Sequence, residues 1–104
     1  MAIAARNDQP VSFQQWNAIG ATPLDFRLDA GRYGLTLRAT VWGTVTLQRV
    51  MTDAAGGQIT VDVLPPIAGA GYTEIPLPAG WYRLTLAGIT ALTGLIELIY
   101  RGGR

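Results

Sequence analysis

The 104 residues predict an all-β chain: a single antiparallel β-sandwich, jelly-roll-like, of about eight strands, with an immunoglobulin-like sandwich of seven as the alternative. Three observations carry that expectation. Apolar and polar residues alternate with period two in run after run from residue 24 onward, and no window of eleven residues carries a helical stripe. Segments rich in glycine and proline punctuate the runs. A ten-residue phrase also occurs twice: LDAGRYGLTL at 28–37 and LPAGWYRLTL at 77–86 agree at seven of ten positions, at an offset of 49 residues (Leu28 to Leu77).

Taken in order, a short first strand is expected around Val11 to Phe13. Leu24, Phe26 and Leu28 then alternate with Asp25, Arg27 and Asp29, and Tyr33, Leu35, Leu37 and Ala39 with Gly34, Thr36 and Arg38. Val45 and Leu47 form the next inward set, followed by Ile59, Val61 and Val63, then Ile75 and Leu77, then Tyr82, Leu84 and Leu86. DAAGG at 53–57 reads as a hairpin turn, PPIAGAG at 65–71 as a longer loop, and GITALTG at 88–94 as the connection into the last strand. In that strand, LIELIYR, Ile96, Leu98 and Tyr100 point one way while Leu95 and Ile99 point the other. A strand apolar on both faces implies a cover on the outer one, either a partner or the N-terminal segment folded over it.

The repeated phrase is expected to mark two matching corners of one domain, because two copies are too few for a solenoid. Asp29 and Pro78 suit the opening of a turn, and Gly31 and Gly80 are expected to take positive φ after it. A four-residue hairpin loop would set Leu28 opposite Tyr33 and Leu77 opposite Tyr82, with Phe26 beside Leu35 and Ile75 beside Leu84. The alternative is that the chain arches from one sheet to the other at each corner. In both cases Gly31, Tyr33, Gly80 and Tyr82 are structural, with the two tyrosines plugging the ends of the core.

The domain organisation expected is a flexible N-terminal arm over 1–10, the sandwich over 11–101 and a frayed end over 102–104. Forty-nine per cent of the chain is hydrophobic and 14% charged, an apolar balance for a small domain that suggests surface covered by a partner or by copies of itself. The chain has no Cys, His or Lys, and Ser12 is its single serine. That composition excludes zinc sites built on Cys or His, His-assisted nucleophilic triads and Lys Schiff-base chemistry. All eight positive charges are Arg, and a net charge of +1 gives no basis for nucleic-acid binding. No apolar run is long enough to cross a bilayer as a helix, and the first ten residues lack a signal-peptide core, so the reading is of a soluble chain with no membrane partner.

Asp25, Asp29, Asp53, Asp62, Glu74 and Glu97 are the remaining acid/base candidates, and all fall on outward phases or turns. A glycosidase needs two carboxylates facing each other across a cleft, which their spacing does not suggest, so the chain is expected not to be an enzyme and to need no cofactor. Trp16, expected in a loop, Trp42, in a bend beside Gly43, and Trp81, on an outward phase, are the sharper candidates. Together with Leu95 and Ile99 they are the expected subunit or capsid contacts, since Trp is enriched at contact centres. Two other uses stay open for the tryptophans: capping the ends of the sandwich, or stacking against sugar rings.

From Tyr33 onward the order of motifs is LRATVWGTVTLQ, a Gly-rich turn, a short strand, a loop, and IPLPAGWYRLTLAGITALTGLIEL. Over roughly residues 31 to 100 this resembles the small β-sandwich structural proteins of tailed bacteriophages, in which a TVTLQ-like strand precedes an LPAGxYR corner. The resemblance implies a virion component made in the host cytoplasm: a capsid decoration (cement) protein bound to the major capsid protein across adjacent capsomers, and a homotrimer. A carbohydrate- or receptor-binding module of a tail or fibre is the alternative it leaves. It brings no catalytic residues.

Overall fold

A computed structural model describes residues 13–100, which form eight strands and no helix. The strands are β1 (Phe13–Ile19), β2 (Phe26–Leu28), β3 (Gly31–Val41), β4 (Thr44–Thr52), β5 (Gln58–Asp62), β6 (Gly71–Leu77), β7 (Gly80–Ala87) and β8 (Thr90–Tyr100). They make two four-stranded antiparallel sheets, β1-β8-β3-β6 and β2-β7-β4-β5, the interleaved order of a jelly-roll sandwich. The arm expected over 1–10 and the end expected over 102–104 lie outside the described residues.

The repeated phrase explains this topology. β2 and β3 lie in different sheets, as do β6 and β7, so each corner is an arch and the four-residue hairpin register does not form. The two copies pair with each other instead. Phe26 faces Tyr82 and Leu28 faces Gly80 in one sheet, while Tyr33 faces Ile75 and Gly31 faces Leu77 in the other. Shifting every member of one set by the 49-residue offset of the repeat generates the other. The same shift carries the pair Thr46 and Thr85 onto Leu95 and Thr36. The two sheets are thus related by an internal pseudo-two-fold axis.

The core repeats this relation. Phe26 and Ile75, Leu28 and Leu77, Tyr33 and Tyr82, Leu35 and Leu84, and Leu47 and Ile96 are equivalent pairs, and all ten residues are buried. Each such side chain contributes roughly 1.5–3 kcal/mol by leaving water. At the corners a buried phenol brings a hydroxyl with it, and the arch supplies its partner. Tyr33 donates to the Asp29 carbonyl at 2.7 Å, and Tyr82 to the Pro78 carbonyl at 2.5 Å, each four residues back. The ring fills the core while its polar tip pairs with a carbonyl that the sheet ladder does not use at the crossing.

Several local expectations are corrected. Gly31 is not among the residues with positive φ, because it opens β3 and sits extended in the ladder opposite Leu77. Gly80 does have the expected positive φ, +158°, close to extended backbone, and an added Cβ there would meet the Arg49 guanidinium at 3.2 Å. The connection into the last strand is only Gly88 and Ile89, and TALTG belongs to β8. Gly88 needs its φ of +69°, and Gly43 of the β3–β4 bend packs so closely on it that a Cβ there would collide with the backbone of Ala87 and Gly88. Among the described residues the first strand covers Phe13–Ile19, longer than expected, and Val11, expected within it, lies outside them. Leu24, Ile59 and Val61 share the inward phase yet are exposed, because β5 is an edge strand and residue 24 precedes β2. The DAAGG turn is as expected: Asp53 Oδ1 accepts from the amides of Ala55 and Gly57, and Gly56 has φ +89°.

Two predictions follow from the core and the backbone. Tyr82→Ala is expected to cost about 3 kcal/mol or more in denaturant melts by opening a cavity, and Tyr82→Phe about 1 kcal/mol by losing the corner bond. Burial raises the Tyr82 hydroxyl above its ordinary 10.0, with nearby Arg49 opposing the shift. Its stabilisation is therefore complete below about pH 10 and lost as pH rises through the folded-state value, so Tyr82→Phe should flatten the alkaline limb of a melting-versus-pH curve. Ala18 (φ +52°) and Ala91 (φ +55°) hold left-handed backbone that a Cβ disfavours. Ala18→Gly and Ala91→Gly are each expected to raise stability, by up to about 1 kcal/mol.

Candidate interaction surfaces

Alternation sends every second side chain of each sheet outward, so the sandwich presents two broad faces. On β2-β7-β4-β5 most outward side chains are polar, and several of them bond to one another. Arg83 grips Asp25 through two hydrogen bonds, Nε to Oδ1 at 2.8 Å and Nη2 to Oδ2 at 3.1 Å, and Nη2 also donates to Gln58 at 3.2 Å. Gln48 donates to Asp62 at 2.9 Å and accepts from Thr85 at 2.7 Å. The Asp25 carboxylate is only 10% exposed, so this bidentate pair is screened less than an ordinary surface one. Trp81 lies half-buried one pair along from Arg83, flanked by Arg27 and Val50.

The face of β1-β8-β3-β6 differs. Phe13 (58% exposed), Tyr72 (57%) and Ile99 (44%) stand on it with half-buried Leu95. Gly34 sits in the middle of β3, paired with Glu97 on one side and Glu74 on the other. With no side chain at Gly34, the hydroxyl end of the Tyr72 ring lies over it, and a Cβ there would come within 2.8 Å of the ring. The Tyr72 hydroxyl donates to Glu74 at 3.1 Å, and Glu74 pairs with Arg32 at 3.1 Å. Partial desolvation of that hydroxyl, together with the Glu74 and Glu97 carboxylates, raises its pKa above 10.0 and keeps it a neutral donor. Thr36 lies one outward position beyond Gly34, and Arg38 one beyond that.

The expected contact residues divide accordingly. Trp16 is not in a loop: it belongs to β1, is 5% exposed and packs edge-on to Phe26 at 5.3 Å between ring centres. It is a core residue and leaves the contact set. A shift in register between Trp16 and Ile19, with Ala18 left-handed, breaks the alternation that would have shown this. Trp42 occupies the β3–β4 bend, half-buried against the core, as a cap would be. Leu95 and Ile99 lie on the outer face, as expected, and β1 pairs beside β8 in the plane of the sheet; the N-terminal segment, the other cover expected for that face, lies outside the described residues. Phe13, Tyr72 and Arg38 were missed; the glycine inside β3 was the available signal, because a strand glycine often marks close approach by another group.

The carboxylates serve the fold or its faces. Asp25, Asp62 and Glu74 are held by Arg83, Gln48 and Arg32, and Asp53 closes the hairpin. Among the described residues no group of three His, Cys, Asp or Glu could hold a metal, and no helix is long and apolar enough to cross a membrane. No family model, curated protein or solved structure matches the chain.

Gly34→Ala tests the placement of Tyr72. The added methyl is expected to displace the ring and break its bond to Glu74, moving the Tyr72 aromatic NMR signals toward those of a free tyrosine. Because the ring is on the surface, the change in stability should stay within about 1 kcal/mol.

Proposed function

We propose that the chain is a non-enzymatic structural protein of a phage particle, a capsid decoration protein that associates with itself and binds across adjacent capsomers. The observation that carries this reading is the outer face of β1-β8-β3-β6, where Phe13, Tyr72 and Ile99 are exposed beside Leu95 on a rigid four-stranded surface. Aromatic and aliphatic groups on a rigid sheet gain by being covered, and they lose little conformational freedom when they are. A protein that joins neighbouring subunits in this way adds contacts that must break before a shell can open. The motif resemblance supplies the particle and the major capsid protein as partner.

A second reading is favoured by Trp81. Half-buried beside the locked polar groups of the other sheet, it offers one ring face for stacking on a sugar, as a carbohydrate- or receptor-binding module of a tail or fibre would. Antibodies raised against the chain distinguish the two. Labelling spread over intact heads is expected, and labelling confined to tails, together with glycan binding lost in Trp81→Ala, would move the assignment to the second reading. Absence from purified particles would remove both.

A further inference from the structure

On the outer face of β1-β8-β3-β6, Arg38 is exposed and makes no ion pair or hydrogen bond among the described residues. Glu97 is likewise exposed and engages only the field of Tyr72. Gly34 and Arg38 lie on the same strand, equally far from Thr36 on either side, and both point outward. Thr36 pairs with Leu95 and Tyr72, so one row across the sheet reads Leu95, Thr36, Tyr72. A two-fold axis laid along that row, between two copies packed face to face, carries the Arg38 of one onto the Gly34 of the other. Over Gly34 lies the Tyr72 ring, bracketed by Glu74 and Glu97.

We propose that two copies pair face to face through this sheet, with the Arg38 guanidinium of each stacked on the Tyr72 ring of the other between Glu74 and Glu97. A planar cation over a phenol face is attracted by the ring quadrupole, and two carboxylates beside it add charge complementarity that Arg38 lacks among the described residues of its own chain. Because the axis uses one patch twice, every such contact is made in duplicate. Leu95 and Thr36 meet their own counterparts near the axis, where neither brings a charge to bury. The pairing is isologous and predicts even-numbered assemblies, which replace the trimer implied by the motif resemblance. It rests on the self-association in the reading above and is independent of the phage particle.

Sedimentation equilibrium and native mass spectrometry of the full chain over a concentration series test it. Wild type is expected to show a reversible dimer that weakens with added salt. Arg38→Glu and Tyr72→Ala should each raise the dimer dissociation constant by about tenfold or more, since both copies lose the contact together. Tyr72→Phe keeps the ring and Arg38→Lys the charge, so both should stay closer to wild type. Arg38 and Tyr72 are exposed, and unchanged circular dichroism and melting would show that the variants fold. A wild type that remains monomeric at its highest soluble concentration, a trimer, or a dimer indifferent to Arg38→Glu would each overturn the proposal. Labelling of phage heads by antibody would stand or fall separately.

Discussion

A chain that crosses from one sheet of a sandwich to the other gives up its ladder partners at the crossing, and the carbonyls left there must be satisfied close to an apolar interior. Among the described residues the chain crosses six times, and at the two repeated corners, β2–β3 and β6–β7, a tyrosine four residues downstream supplies the donor, Tyr33 to Asp29 and Tyr82 to Pro78. Both rings are fully buried, so the side chain that fills the core at each corner also satisfies the backbone there. The remaining pairing follows from placing these corners back to back. Gly31 lies opposite Leu77 and Gly80 opposite Leu28, so the glycine of each copy faces the leucine of the other, and the strands leaving the corners inherit their register.

The pseudo-two-fold governs the interior and stops at the surface. Inward positions keep their chemistry under the 49-residue shift, as with Leu35 and Leu84 or Leu47 and Ile96. Most outward positions do not, Thr36 and Thr85 being an exception. Arg83 becomes Gly34, Gln48 becomes Glu97 and Thr46 becomes Leu95. One surface is tied up in its own hydrogen bonds, and its counterpart is flattened by a glycine and covered by an aromatic ring. Core positions answer to packing density, which tolerates little change. Surface positions answer to whatever they meet, so the divergence places the difference in use on the outer faces.

Much of the fold was legible because period two survives in most strands and because Asp53, Gly56 and Gly57 form a hairpin from local chemistry alone. Which sheet each strand joins was not. A hairpin and an arch both need a turn followed by an inward Tyr, and the choice is made by pairing partners about fifty residues away. Trp16 was hidden by a bulge, because one left-handed residue at Ala18 resets the phase after a run of polar neighbours. Ile59 and Val61 show the converse: the phase was right, but an edge strand left them partly open to solvent. Of the candidate surface, Leu95 and Ile99 were readable from one strand apolar on both sides. Tyr72 and Arg38 acquire meaning only beside Gly34, Glu74 and Glu97, neighbours that the ladder brings together.

The two faces also differ in what an incoming partner could gain. On β2-β7-β4-β5 the carboxylates of Asp25 and Asp62 already have donors from Arg83 and Gln48, so a polar ligand must displace existing bonds and recovers only the difference. On β1-β8-β3-β6 Arg38 and Glu97 have no hydrogen bond or ion pair among the described residues. Pairing them across an interface replaces water with an opposite charge and breaks no bond among the described residues. Such charges select a partner more than they hold it, because a misplaced neighbour would bring like charges together. Affinity has to come from the apolar groups around them, and Phe13, Tyr72, Leu95 and Ile99 lie on that face. Specific charge and coverable apolar surface coincide there, while the opposite face offers Trp81 beside a network that is already complete.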